Sequence, residues 1–245
     1  MIDKLRDRVV ARGMSSFLDY YYLLKYEDDA AEEWLHVMDA FSVQETYFWR
    51  EAVQIRALVD HVVPAWFRAH PDRPLQIWSA ACATGEEPYS LAIALQEAGW
   101  GSHPIRIEAS DASTAALERA RAAVYRERSF RTLPAELREK YFDATGEGSR
   151  LRIEGLLPVT FRRANLVVRE DVVGLASAPV IFCRNVFIYF SVDSIRRAVA
   201  HFARAMPAGG HLFVGASETL LKLTTAFELA EINDAYVYVR NSQPA

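Results

Sequence analysis

A chain of 245 residues with 51% hydrophobic side chains can build one substantial core plus a small appendage. Its formal net charge of −4 argues against nucleic acid as a partner of the whole surface. No apolar run reaches the roughly 18–20 residues of a membrane span, so no direct membrane insertion is expected. The charged start Met1–Arg12 does not have the form of a signal peptide. Cys82 and Cys183 match no metal-ligand spacing, so no metal site is expected; reduced thiols in a cytoplasmic protein are preferred to a disulfide.

Residues 1 to about 40 carry helical spacing and no strand pattern. Leu5, Val9 and Val10 share one face of a first helix, and Lys4, Arg8 and Arg12, four apart, share another. Gly13 suits a helix stop and Ser15 or Ser16 a new N-cap, after which Phe17, Leu18, Tyr21, Leu24 and Lys25 continue the period. Asp28 or Asp29 can cap a third helix through Trp34, Leu35 and Met38. The basic stripe Lys4, Arg8, Arg12 reads either as a solvated face or as a docking surface for an acidic partner helix. Ser42–Arg50 is a linker into a long amphipathic helix with Ile55, Leu58, Val59, Val62, Val63 and Trp66 on its buried face, ended by Pro71 and Pro74. The aromatics Tyr47, Phe48 and Trp49 beside Arg50 are either packing or a lid, with Arg50 aimed at a ligand carboxylate.

The stretch Trp78–Ser90 organises the rest. An apolar run, Leu75–Trp78, reads as a buried strand; Leu91, Ala92, Leu95 and Ala98 then recur at helical spacing. Between them lies a loop of small residues, Ala81 and Gly85 among them, over which a ligand can approach the backbone. A dinucleotide loop carries three glycines and seats a pyrophosphate on the helix N-terminus. This loop has one glycine, and Glu86 and Glu87 would repel that anion. A cationic ligand with sugar hydroxyls fits better, and S-adenosylmethionine (SAM) has both. The alternative is that the two acids only complement the helix dipole.

Ile105–Ser110 is a second strand, ending in Asp111, 26 residues after Gly85. A ribose-binding acid is expected roughly 20 residues on; Asp111 also suits an N-cap for the helix 115–124. Between 126 and about 160 the alternation breaks. Pro134–Tyr141 reads as a short helix, and Leu151-Arg152-Ile153 with Val159-Thr160-Phe161 as an antiparallel hairpin inserted into the sheet. Val180–Cys183 is the next strand. Arg184, Asn185 and Tyr189 at its carboxyl end are either ligand-facing or parts of a turn held by side-chain to backbone bonds. A helix through Ile195, Val199, Phe202 and Ala203 leads to the strand His211–Val214 and the loop Gly215–Glu218. Phe227–Leu229 and Ala235–Val239 form a last hairpin. The pattern is α/β: one twisted, mostly parallel sheet with helices on both faces.

Taken together, Gln44-Glu45-Thr46-Tyr47-Phe48-Trp49-Arg50, Trp78–Ser90, Ser110-Asp111, Asn165-Leu166, Phe182–Phe190 and Gly215–Glu218 resemble, in order, the motifs of the CheR-type chemotaxis receptor methyltransferases. The resemblance implies a class I SAM-dependent methyltransferase fold with a seven-stranded sheet, a small helical N-terminal domain and an inserted β-subdomain. It implies a protein-glutamate O-methyltransferase that esterifies glutamates in the cytoplasmic helical region of chemoreceptors and releases S-adenosylhomocysteine (SAH). Cofactor contacts would be Gln44, Thr46, Arg50, Ala81, Gly85, Glu87, Asp111, Asn165, Leu166, Arg184 and Asn185. Arg50 and Tyr189 would serve the transfer itself, and Lys4, Arg8 and Arg12 would dock the receptor. The expected division is 1–41, a shortened helical domain without the family's first helix; 42–71, linker and long helix; and 72–245, the methyltransferase domain with its insertion at about 142–162. Gln44 stands where the family has Asn. The loop Thr145–Ser149 is shorter than the glycine-rich loop of members that grip a receptor C-terminal pentapeptide, so pentapeptide-independent action by a monomer is expected. The rival readings are another protein substrate, or a SAM-binding module without catalysis.

Overall fold

The structure, a computed structural model, describes residues 2–27, 30–41 and 45–242. Three helices open the chain: α1 (Ile2–Ala11), α2 (Phe17–Tyr26) and α3 (Ala30–Phe41). Gly13, at φ 68°, turns the chain out of α1, and Ser16 caps α2 by accepting from the Asp19 N–H at 3.1 Å. The proposed cap of the third helix, Asp28 or Asp29, lies outside the described residues. Val9, Tyr20 and Val37 form the small apolar centre of this unit. Beside them the buried Glu33 accepts both Arg8 Nε (3.0 Å) and Nη2 (2.8 Å) and the Tyr20 hydroxyl (2.6 Å). One carboxylate thus joins α3 to both earlier helices. Val10, expected on the inner face, is instead exposed, because α3 packs on the Leu5–Val9 side only.

The long helix runs as α4 (Ala52–Ala57), a π-helical turn Leu58–Val62, and α5 (Val63–Ala69). Pro64 explains the widened turn: it has no N–H for the preceding turn, and its ring crowds the carbonyl there. Trp100 Nε1 takes up the Val59 carbonyl at 3.1 Å. Then come β1 (Leu75–Ala80), α6 (Glu86–Glu97), β2 (Ile105–Asp111), α7 (Thr114–Ala122), β3 (Val124–Tyr125), α8 (Ala135–Tyr141), β4 (Phe142–Thr145), β5 (Gly148–Leu151) and β6 (Val159–Arg163). The chain closes with α9 (Arg169–Val172), β7 (Val180–Phe182), α10 (Val192–Ala205), β8 (His211–Phe213), β9 (Phe227–Ile232) and β10 (Ala235–Arg240).

The main sheet has the order β6-β2-β1-β7-β8-β10-β9; β6 to β8 are parallel neighbours, and the final hairpin is antiparallel. From β1 the chain winds outward through β2 to β6, then returns to β7 on β1's other side. The reversal leaves a crevice at the carboxyl ends of β1 and β7, where such sheets bind ligands. Each sheet face is buried. Trp78, Ile181 and Leu212 pack against Val172, Val199 and Phe202 of α9 and α10; Leu75, Ile77, Phe182 and Phe213 pack against α4–α6.

The insertion differs from the expected one. Val159–Arg163 is not half of a hairpin: it pairs in parallel with β2, Ile107 opposite Val159. The partner of β5 is β4, with β3 on the other side, so the small antiparallel sheet takes strands from Val124–Leu151 rather than from about 142–162. Gly148 allows this, since a Cβ there would collide with the Tyr125 carbonyl of β3. Phe130, Tyr141, Phe142 and Leu151 give the insertion its own apolar centre, which also takes in Phe48.

Candidate functional site

At the crevice a cavity of about 350 Å³ opens. Its walls include Thr46, Arg50, Ala81, Glu87, Asp111, Asn165, Leu166, Arg184, Asn185 and Tyr189. Every expected pocket residue among those described is there except Gly85. Gln44 lies outside the described residues. Tyr47, one of the three aromatics read as packing or a lid, lines the cavity, as do Met38 and Phe41 of α3, which the sequence did not single out.

The loop after β1 holds its shape by backbone means. Ala81 (φ 58°) and Ala83 (φ 48°) are both left-handed, which costs roughly 1–2 kcal/mol each for a residue with a Cβ. Bonds across to β2 offset this strain: Cys82 N–H donates to the Ser110 carbonyl at 2.9 Å, and Ala83 N–H to Asp111 Oδ2 at 2.9 Å. The other Asp111 oxygen accepts the Ser113 N–H at 2.9 Å. The cap of α7 is Ser113, which accepts from Ala116 N–H, so Asp111 is not an N-cap. Its carboxyl is buried, and desolvation pushes its pKa above the ordinary aspartate value despite these N–H donors. A ligand that donates hydrogen bonds or brings positive charge would relieve it.

The two acids of α6 part company. Glu86 turns toward the insertion, accepting from Thr84 Oγ1 (2.6 Å) and Ser129 Oγ (2.9 Å), and burial raises its pKa. Glu87 faces the cavity, accepting from Ser79 Oγ at 2.6 Å and Arg184 Nε at 2.7 Å. Gly85 sits behind the loop. It is left-handed at φ 92°, and an added Cβ would lie 2.9 Å from Ala120 Cβ and 3.1 Å from the Tyr125 hydroxyl. Its small size seats α6 against α7 and the insertion, not against a ligand.

Arg184, its side chain 2% exposed, bonds Glu87, the Arg50 carbonyl (2.9 Å) and Gln54 Oε1 (3.3 Å). It fixes the long helix to the crevice as well as lining it. Asn185 is left-handed at φ 57° and donates from Nδ2 to Glu51 Oε1 at 3.2 Å. Glu218 completes the loop. Oε2 accepts the N–H groups of Asn185 (2.8 Å) and Gly215 (2.7 Å); Oε1 accepts those of Phe187 (2.6 Å) and Ile188 (3.3 Å). A Cβ on Gly215 would collide with Asn185 Nδ2 and approach its backbone N to 2.9 Å. Neither Glu51 nor Glu218 was assigned a role from sequence. A carboxylate three residues past a glycine, on the same sheet edge as a polar strand end, was the only available signal. The turn-holding reading of 184–190 therefore holds, and Arg184, Asn185 and Tyr189 also line the cavity.

The basic stripe is far less free than its spacing implies. Arg8 is bonded to Glu33, Arg12 Nε lies 3.7 Å from the same carboxylate, and Lys4 Nζ lies 5.8 Å from the centre of the Phe41 ring. All three turn toward α3.

A family model described as "CheR methyltransferase, SAM binding domain" matches residues 44–236. The chain is 35% identical over 243 residues to "Chemotaxis protein methyltransferase 2" of Vibrio cholerae, covering 98% of this chain and 84% of that protein. It is 34% identical to "Chemotaxis protein methyltransferase 1" of Pseudomonas aeruginosa, covering 82% and 76%. It is 33% identical to "Probable biofilm formation methyltransferase WspC" of Pseudomonas putida, covering 97% of this chain and 55% of that one. With this agreement along nearly its whole length, the chain belongs to the CheR family of SAM-dependent methyltransferases.

Proposed function

We propose that this protein transfers the methyl group of SAM to glutamate side chains in the cytoplasmic helical region of a chemoreceptor, acting as a cytoplasmic monomer and without a receptor pentapeptide. The observation that carries the reading is the cavity's composition. Two carboxylates, Glu87 and Asp111, stand over a loop in which the N–H groups of Cys82, Ala83 and Gly85 are already taken. That suits a cation with hydroxyls and disfavours a pyrophosphate. Ala81, Leu166, Phe41 and Phe190 supply apolar walls for a flat ring, and Arg50 is the cation available for a carboxylate. The residues present fit SAM: Asp111 would hold ribose hydroxyls, Glu87 the amino acid end, and Thr46, Asn165, Leu166 and Asn185 the remainder.

SAM, when bound, supplies a methyl group carried on a positive sulfur. The chain's own task is then small. A glutamate is ionised near neutral pH and needs no general base. Arg50 and Tyr189, both lining the cavity, orient the incoming carboxylate; Tyr189 is 54% exposed and so reachable by a protein substrate. Alignment of this kind can be worth up to about 7–11 kcal/mol. The division at about residues 41 and 71 assigns substrate docking to the first helices and chemistry to the rest.

The test is calorimetric titration with SAH, followed by transfer of labelled methyl to a receptor cytoplasmic fragment. Asp111→Ala should weaken SAH by about 10²-fold, the size of two charge-assisted hydrogen bonds lost less partial compensation. A parent protein that binds SAH yet labels no receptor fragment would favour the non-catalytic module.

A further inference from the structure

The segment 45–51, which carries Thr46 and Arg50 into the cavity, has no regular secondary structure and is not held by the methyltransferase sheet alone. Much of its anchorage comes from the insertion. Phe48, fully buried, packs edge-on to Tyr125 and Phe142 at 4.8 and 5.0 Å between centroids and stacks on Phe130 at 5.6 Å. Phe48 N–H donates to the Ser129 carbonyl at 2.8 Å, and Thr132 Oγ1 donates to the Phe48 carbonyl at 2.7 Å. These contacts fix the middle of the segment. Its cavity residues Glu45, Thr46, Tyr47 and Arg50 flank that point, and one further side chain contacts two of them. Arg131 donates to Glu45 Oε1 at 2.8 Å, and its guanidinium lies 3.6 Å from the centre of the Tyr47 ring. Arg50 borders the same ring at 5.3 Å and donates to the Glu45 carbonyl at 2.8 Å. Arg131 and Arg50 thus meet through Glu45 and Tyr47.

We propose that Arg131 is a positioning residue for the cofactor: it sets Glu45 and Tyr47, and through them the place of Arg50 in the cavity. The insertion then has a second task besides whatever it offers to partners, because it holds the strap on which cofactor affinity depends. The inference rests on the cavity being the SAM site. Of the residues that line the cavity, Arg131 contacts Glu45 and Tyr47, and its side chain is 45% exposed, so its removal leaves no hole in a core.

Calorimetric titration of the full chain with SAH tests this on the parent, Arg131→Ala and Arg131→Lys. The alanine variant should bind about three- to ten-fold more weakly, the scale of an exposed cation–π contact and ion pair lost together. Its melting temperature should stay within about 2 °C of the parent, as for most surface substitutions. The lysine variant keeps the charge near Glu45 but not the planar stack on Tyr47, and should fall between the two. An alanine variant within two-fold of the parent overturns the proposal while leaving the site reading intact; so does a loss of affinity that tracks a loss of melting temperature. A parent that fails to bind SAH removes the site reading, and this proposal with it.

Discussion

Glu218→Gln is the sharpest probe of how the loop carrying Tyr189 is held. The carboxylate accepts four backbone N–H groups, two on each oxygen, from Asn185, Phe187, Ile188 and Gly215. A glutamine keeps one acceptor oxygen and must present its NH₂ to one of the two pairs. Two charge-assisted bonds are lost, nominally about 1.5–3 kcal/mol each. Glu218 is only half-buried, so water recovers part of this, and about 2–4 kcal/mol is the expected cost. For a chain of this size that is roughly 5–15 °C in melting temperature, readable by calorimetry or by a lower urea midpoint at constant slope. Tyr189 lies one residue beyond the clamped stretch. Receptor methylation per molecule of folded enzyme should therefore fall about 10²-fold, the scale of an ångström of misplacement. SAH affinity should fall less, because Glu87 and Asp111 are held by other bonds. A variant melting within about 1 °C of the parent and methylating at the parent's rate would refute the reasoning.

Gly85→Ala should cost about 2–4 kcal/mol, from left-handed strain and the clash with Ala120, while the folded fraction keeps the parent's affinity for SAH; a large affinity loss at unchanged stability would return Gly85 to the ligand. The Arg8 hydrogen bond holds Glu33 below its usual pKa of 4.5. A depressed acid stabilises above its unfolded value, so the three N-terminal helices should loosen as pH falls from 4.5 through the lower folded value. Hydrogen exchange in α1–α3 should report this, and Glu33→Gln should abolish that pH dependence. Lys4→Glu should weaken receptor methylation without touching SAH affinity if the basic stripe docks substrate, whereas Arg8→Glu should unfold the helices first; parent-level methylation by Lys4→Glu would leave the stripe a structural role only.

The sheet was legible because buried strands announce themselves. Leu75–Trp78, Ile105–Ser110 and Val180–Cys183 are apolar runs bounded by turns, and the polar residues at their carboxyl ends fell into one cavity as expected. The insertion was misjudged because Val159-Thr160-Phe161 alternates like a hairpin strand. Only the parallel partnership with β2, remote in sequence, shows where it belongs. Gly85 was misassigned for a related reason: a small residue near a ligand loop reads as room for ligand, but the space was needed by Ala120 and Tyr125. Glu51, Glu218 and Arg131 act through neighbours brought from afar, and no local spacing encodes that.

The walls of the cavity are gathered from residues 38 to 190, with the last contributions from beyond β7. No shorter nascent fragment can assemble it. On the ribosome, the protein would gain its affinity for SAM late, when β7 adds to the open edge of β1. Free SAM in the cell then acts as a selective brace on completed molecules alone, withdrawing them from the unfolding equilibrium in proportion to its concentration over the dissociation constant.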